Sequence, residues 1–184
     1  GERSVAMSMA DGKCFGSELE RIGYAGWTEV GRRGIDAYFE LHIEQGPLLD
    51  REAVPVGIVT GGYAVRGMHV DVRGETAHAG PTPMDRRRNA LIGAAMLAVT
   101  VNDVGWKYHS TEGKATVPRL VAWPNKAGIL AEFAQLTCDV RHADTEMADR
   151  MWADVKAAIP DCAKRGNVEM RIAGEWQFGS ERFD

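Results

Sequence analysis

Apolar residues recur along this chain in two rhythms, and the switches between them mark out the elements. Residues 63–73 alternate, with Val65, Val70 and Val72 among the apolar members, which predicts a half-buried strand. Residues 85–104 carry Ala90, Leu91, Ala94, Ala95, Leu97, Ala98 and Val101, a broad stripe that predicts an amphipathic helix. Strands are expected over 115–123 and 130–140. Asp144 stands as the N-cap of a second helix over 144–159, whose buried face is Met147, Met151, Trp152, Val155 and Ile159, with Pro160 as its stop. A last strand follows at 168–173. The order β-α-β-β-α-β is the split βαβ, ferredoxin-like arrangement. It predicts an α/β (α+β) domain with one four-stranded antiparallel sheet and both helices on one face.

The first third of the chain is less regular. Residues 1–16 show no period, and 17–22 read as a short helix with Ser17 as N-cap and Glu20 three residues on, a capping box. Strands are expected over 37–43 and 54–60, with a turn or short helix at 47–52 between them. The paired glycines Gly61 and Gly62 read as a hinge, since they leave the backbone free.

Composition narrows the classes. The 184 residues are 45% hydrophobic, enough for a packed core. The formal charge of −4 argues against a nucleic-acid surface. No apolar run reaches the roughly 18 residues that a bilayer span requires, so no membrane association is expected. Nothing at the start reads as a secretory signal. Cys14, Cys138 and Cys162 are odd in number and widely spaced, which points to a reducing cytoplasm rather than a disulfide framework.

Two histidine motifs carry the chemistry. In Ala37-Tyr-Phe-Glu-Leu-His-Ile-Glu-Gln-Gly-Pro47 an apolar run ends in a Gly-Pro break, with His42, Glu44 and Gln45 near the break. On a strand, His42 and Glu44 would project to one face and Gln45 to the other. The segment Gly74-Glu-Thr-Ala-His-Ala-Gly-Pro-Thr-Pro-Met-Asp85 cannot be regular structure and is a rigid loop presenting one imidazole, His78. Plainer readings stand beside these: a loop histidine bonded to a carbonyl for His78, a turn cap for Gln45, and a surface ion pair for Arg141. His69, His109 and His142 lack motif context and read as surface or structural.

The segments Glu40-Leu-His-Ile-Glu-Gln-Gly-Pro47 and Ala77-His-Ala-Gly-Pro-Thr-Pro-Met84, in that order and followed by Asp139-Val-Arg-His-Ala-Asp144, resemble the hydantoinase/carbamoylase group of the M20 metallopeptidase-like family. That group contains N-carbamoyl-L-amino acid hydrolases, β-ureidopropionases and allantoate amidohydrolases. The resemblance covers most of residues 15–184. It implies a two-metal amidohydrolase acting on a small ureido or N-carbamoyl acid, with two divalent ions (zinc, manganese, cobalt or nickel), and a homodimer through an inserted lid domain. It also implies His42 as a metal ligand, His78 as the lid histidine that reaches the partner's site and steadies an oxyanion, Gln45 facing the ureido group, and Arg141 clamping the substrate carboxylate. The family's asparagine falls on Gly128 when aligned without gaps, with Asn125 three residues earlier, and either Asn125 moves in or the contact is missing.

The same resemblance divides the chain into part of a catalytic domain (1–61), a dimerisation or lid domain (62–175), and a return towards the catalytic domain (176–184). The family's His-x-Asp segment, Glu-Glu pair and late histidine have no counterpart, so the expectation is a fragment that is inactive alone. The alternative is a metal-free dimerisation or binding module in which His42 and His78 are structural, because one ligand cannot hold a catalytic metal pair.

Overall fold

The computed structural model describes residues 2–9, 11–26, 31 and 34–183. The chain divides into two compact units, Gly1–Gly57 and Ile58–Asp184.

The first unit holds three short helices: α1 (Glu2–Val5), α2 (Phe15–Arg21) and α3 (Leu48–Arg51). The expected capping box at Ser17 is not formed. The helix starts two residues earlier, with Cys14 in the extended N-cap position and no side-chain cap. The strands expected over 37–43 and 54–60 are also absent: neither stretch enters a ladder and both are exposed, with Phe39 at 92% and Leu41 at 102% relative exposure. A period-two pattern becomes a strand only when a second strand takes its backbone groups in register. Among the described residues, 54–60 makes just two single backbone bonds, from the Val54 N–H to the Leu49 carbonyl at 2.9 Å and from the Phe183 N–H to the Thr60 carbonyl at 3.0 Å.

The second unit is built as the order of elements dictates. After β1 (Gly61–Gly62) come β2 (Ala64–Arg73), α4 (Ala90–Lys107), β3 (Lys114–Trp123), β4 (Phe133–His142), α5 (Thr145–Gly166), β5 (Glu169–Phe178) and β6 (Glu181–Arg182). The four long strands form one antiparallel sheet in the order β3-β4-β2-β5. β1 pairs only with β6, Gly61 opposite Arg182 and Gly62 opposite Glu181. The glycine pair is therefore strand rather than free hinge. A Cβ on Gly61 would lie 2.5 Å from the Glu181 carbonyl oxygen, so the glycine permits a close backbone approach.

Alternate residues of the two central strands enter the core: Met68, Val70 and Val72 from β2, and Ala134, Leu136, Cys138 and Val140 from β4. They meet Ala94, Leu97 and Val101 of α4 and Met151, Trp152 and Val155 of α5, so both helices cover one face, as predicted. α4 starts five residues later than its pattern suggests. Pro83 and Pro81 break the chain, Met84–Arg86 makes one 3₁₀ turn, and Asn89 becomes the N-cap by accepting from the Leu91 N–H at 3.2 Å. α5 runs on past Pro160 to Gly166. Pro160 is exposed, so the carbonyl that it leaves without a donor can reach water, while Cys162 beyond it is buried against the core. Among the described residues no helix is long and apolar enough to cross a membrane.

The other face of the sheet is polar. A chain of hydrogen bonds crosses all four strands there. Arg119 donates to Gln135 Oε1 at 2.8 Å, Gln135 donates to Asp71 Oδ1 at 2.8 Å, and Arg171 donates to Asp71 Oδ2 at 3.2 Å.

Candidate functional site

In the first unit the backbone turns at Gln45, whose φ of 53° is left-handed. That turn overturns the strand geometry expected around His42. Gln45 does not point away from the imidazole; its Oε1 lies 3.1 Å from His42 Nε2. Glu44 leaves the histidine and caps α3 instead, accepting from the Leu48 N–H at 2.9 Å and the Leu49 N–H at 3.2 Å. The turn cap foreseen for Gln45 is thus made by its neighbour. The carboxylate on His42 is Glu40, with Oε1 2.7 Å from Nδ1. The pattern carries a signal for this, since residues two apart share a side in extended chain. Tyr38 donates a short hydrogen bond to the other oxygen of Glu40. Gln45 and then Glu40 raise the His42 pKa, while the Tyr38 and His42 hydrogen bonds lower that of Glu40.

This arrangement fits one metal ligand. A carboxylate on Nδ1 orients the ring as in the usual support for a metal-bound imidazole, while Nε2, the nitrogen that would ligate, is engaged by the Gln45 Oε1 in this arrangement and must be released from it first. Among the described residues no three His, Cys, Asp or Glu side chains gather into a metal-sized group. His42 thus fits as a single contribution to a metal centre, and the described residues do not hold such a centre by themselves.

In the second unit the loop after β2 is laced to the segment before β4. The Gly74 N–H donates to the Glu132 carbonyl at 2.7 Å, the Leu130 N–H to Ala77 at 2.8 Å, and the Ala79 N–H to Gly128 at 2.8 Å. His78 forms an isolated bridge with Ile129. Its ring is exposed, and Nδ1 accepts from the Gly80 N–H at 3.0 Å. It bonds an amide rather than the carbonyl that the plainer reading supposed. In the neutral ring the proton therefore sits on Nε2, which makes His78 a fixed outward donor. Arg87 closes the loop from beneath, donating to the carbonyls of Ala79 at 2.7 Å and Thr82 at 3.1 Å. Sequence reasoning overlooked Arg87, which sits in a run of three arginines that reads as a solvated charge cluster.

The Asn125 loop lies against the His78 loop. Asn125 is exposed, while Gly128 sits at φ 82° with its carbonyl committed to Ala79. Arg141 is elsewhere. It lies on the polar face near the far end of β4, paired with Asp139 through Nε at 2.7 Å and Nη2 at 3.3 Å. The His78 loop adjoins the start of β4 at Phe133, and Arg141 comes eight residues later, roughly 27 Å along the strand at about 3.4 Å per residue. The sheet thus brings His78 and Asn125 to one end and holds Arg141 at the other. His142 is buried and structural, with Nδ1 accepting from the Asp144 N–H at 2.8 Å.

No family model matches the chain. Over 183 residues it is 35% identical to an N-carbamoyl-L-amino-acid amidohydrolase of Rhizobium meliloti, a match covering 100% of this chain and 44% of that protein. It is 30% identical over 134 residues to a ureidoglycolate hydrolase of Arabidopsis thaliana, covering 73% of this chain and 28% of that protein. Among solved structures, a hydantoinase/carbamoylase family amidase from Burkholderia vietnamiensis superimposes with a TM-score of 0.87 at 36% identity, covering 100% of this chain and 44% of that one. The chain spans less than half the length of these relatives. Matched from end to end in both sequence and fold, the chain belongs to the hydantoinase/carbamoylase amidase family.

Proposed function

We propose that the chain is part of a metal-dependent amidohydrolase that cleaves the carbamoyl C–N bond of N-carbamoyl amino acids or related ureido acids. The observation that carries this reading is the 35% identity to the Rhizobium meliloti amidohydrolase across the whole chain. In the complete protein, residues 1–61 contribute to a catalytic domain, 62–175 form the lid and dimerisation domain, and 176–184 lead back. Two divalent ions are held there, with zinc, manganese, cobalt and nickel all suited to an imidazole ligand. When bound, such a pair supplies a water acidified towards a pKa of about 7. The three unpaired cysteines suit a reducing cytoplasm.

The chain's own residues then have distinct tasks. Once Nε2 is released from the Gln45 amide oxygen, His42 would offer it to a metal while Glu40 keeps the proton on Nδ1. The Gln45 amide, beside His42, can both donate to and accept from a ureido group. His78 presents its Nε2–H to the oxygen that gains charge as the carbamoyl carbon is attacked. Arg141 takes the substrate carboxylate, and Asn125 adds an amide contact from beside His78. His78 and Arg141 stand at opposite ends of one sheet, too far apart to grip one small molecule. They act on the same substrate only if two copies each lend one of them, which makes a homodimer part of the reading. The test is to assay the full-length parent, with added divalent metals, on N-carbamoyl-L-amino acids, N-carbamoyl-β-alanine and allantoate. Turnover of at least one, abolished by a chelator, is expected; inactivity on all three would sink the reading.

A further inference from the structure

Between α5 and β5 lies a cavity of about 300 Å3, lined by Arg66, Trp152, Lys156, Glu175, Trp176 and Gln177. It opens on the helical face of the sheet. Arg66 shares a rung with Val140 and Gln177, Met68 shares one with Glu175, and Val140 and Met68 both point into the core. The polar face that carries Arg141 is the opposite one. Arg66 is thus a guanidinium in a core position, and its side chain is 7% exposed. Its Nε donates to Asp149 Oδ1 at 2.7 Å, and its Nη1 donates to the carbonyls of Val65 at 2.9 Å and Phe178 at 2.7 Å. Nη2 has no hydrogen-bond partner among the described residues.

A buried charge ordinarily has its polar atoms engaged, so an idle nitrogen on a shielded guanidinium calls for an acceptor. Three further donors line the same cavity. Trp152 is 9% exposed, and its indole N–H, which can donate but not accept, has no partner among the described residues. The Gln177 amide has none either. Lys156 stands over the Trp152 ring, 5.4 Å from its centroid, and pairs with Glu175. The competing carboxylates are the more solvated groups: Asp149 is 58% exposed and Glu175 43%. Water screens them far more than it screens Arg66. The donors arrive from the sheet beneath, the helix on one side and the edge strand on the other. Donors from three directions suit a tetrahedral oxyanion better than a planar carboxylate, which prefers a flat fork.

We propose that this cavity binds a phosphate group, held by Arg66 Nη2, the Trp152 indole N–H, Lys156 Nζ and the Gln177 amide. Glu175 is the gate: as the phosphate enters, its carboxylate gives up Lys156 and turns to solvent. The free inorganic ion and the terminal group of a small phosphate monoester share this chemistry. The seat is independent of the amidohydrolase reading, and its probes ask nothing of turnover.

The experiment titrates the 184-residue chain with inorganic phosphate, methyl phosphate and acetate at constant ionic strength. Proton–nitrogen NMR follows the assigned Arg66 Nε–H and Trp152 indole N–H resonances. Both should shift saturably with phosphate and stay in place with acetate. Methyl phosphate that binds as well as phosphate marks monoesters as ligands; phosphate that binds alone marks the free ion. Lys156→Gln should weaken phosphate binding about tenfold, the scale of one charge-assisted hydrogen bond. Glu175→Gln removes the competing carboxylate and should tighten binding several-fold. Lys156 and Glu175 are both well exposed, so neither variant threatens the fold. Resonances that stay still, or drift without saturating, would show a cavity filled by water alone and overturn the proposal. Equal affinity in Lys156→Gln and the unchanged chain, or acetate bound as tightly as phosphate, would overturn it too.

Discussion

Arg87 holds the carbonyl of Ala79 at 2.7 Å and thereby fixes the residue next to His78. The same guanidinium takes the Thr82 carbonyl, so one planar fork ties both arms of a loop that has no regular structure. Lysine offers a point charge in place of that fork. In the full-length parent, Arg87→Lys is expected to lower kcat by up to about a hundredfold through misplacement of the His78 ring, while the circular dichroism spectrum is kept. A variant with unchanged kcat would show that the loop needs no such tie.

His78→Ala should cost far more activity than stability. The ring is exposed, so little packing is lost. Losing one donor to developing charge typically costs about 100- to 1000-fold in kcat. Because His78 and Arg141 lie at opposite sheet ends, activity should partly return when His78→Ala and His42→Ala subunits are co-expressed and the mixed dimer is isolated. One of its two sites then has both an intact His42 and an intact His78. A mixed dimer no more active than either parent variant would exclude action across subunits.

The 184-residue chain by itself should hydrolyse no N-carbamoyl substrate and bind divalent ions weakly. Among the described residues no three potential ligands come together, and His42 has one carboxylate beside it. Structural and catalytic zinc sites use at least three protein ligands. Titration calorimetry with zinc and manganese is the check, and a tight two-ion isotherm from this chain would overturn the expectation.

Asp71 should give the four-stranded domain a measurable acid sensitivity. It is 9% exposed, and its carboxyl is held below its ordinary value first by the Gln135 amide and then by Arg171, with burial opposing. Its folded pKa thus lies under the unfolded value of about 3.9, so its stabilisation is present above that value and is lost as the pH falls through the folded pKa. Asp71→Asn should melt at a lower temperature than the unchanged chain at pH 7, and the two melting curves should converge below about pH 4. Profiles that stay parallel from pH 7 to pH 2 would remove Asp71 from the account.

The second unit was legible in the sequence because its signals are local and agree with one another. Val70 and Val72 alternate, the α4 and α5 stripes are wide, and Asp144 caps α5 by accepting from the Met147 N–H at 2.9 Å. The errors arose where a residue's local habit met a tertiary fact. Pro160 reads as a stop, but packing of Cys162 carries the helix through it. Asp85 opens an apolar stripe, but Asn89 can serve both Leu91 and the Ala131 N–H at 3.3 Å, and the helix starts there. Around His42 the histidine and glutamine were visible as a motif. Their mutual contact was not, because the left-handed turn at Gln45, a conformation uncommon for any residue but glycine, reverses the side on which the amide falls.

The short ladder between Gly61–Gly62 and Glu181–Arg182 has a further meaning for engineering. It brings the two ends of the four-stranded domain within one rung of each other, about 5 Å between facing Cα atoms. A unit whose entrance and exit adjoin can be transplanted: its stems can be joined to a surface loop of another protein without prising that loop apart. The 58–183 segment is thus a portable cassette, one that could carry the His78 loop into a new host.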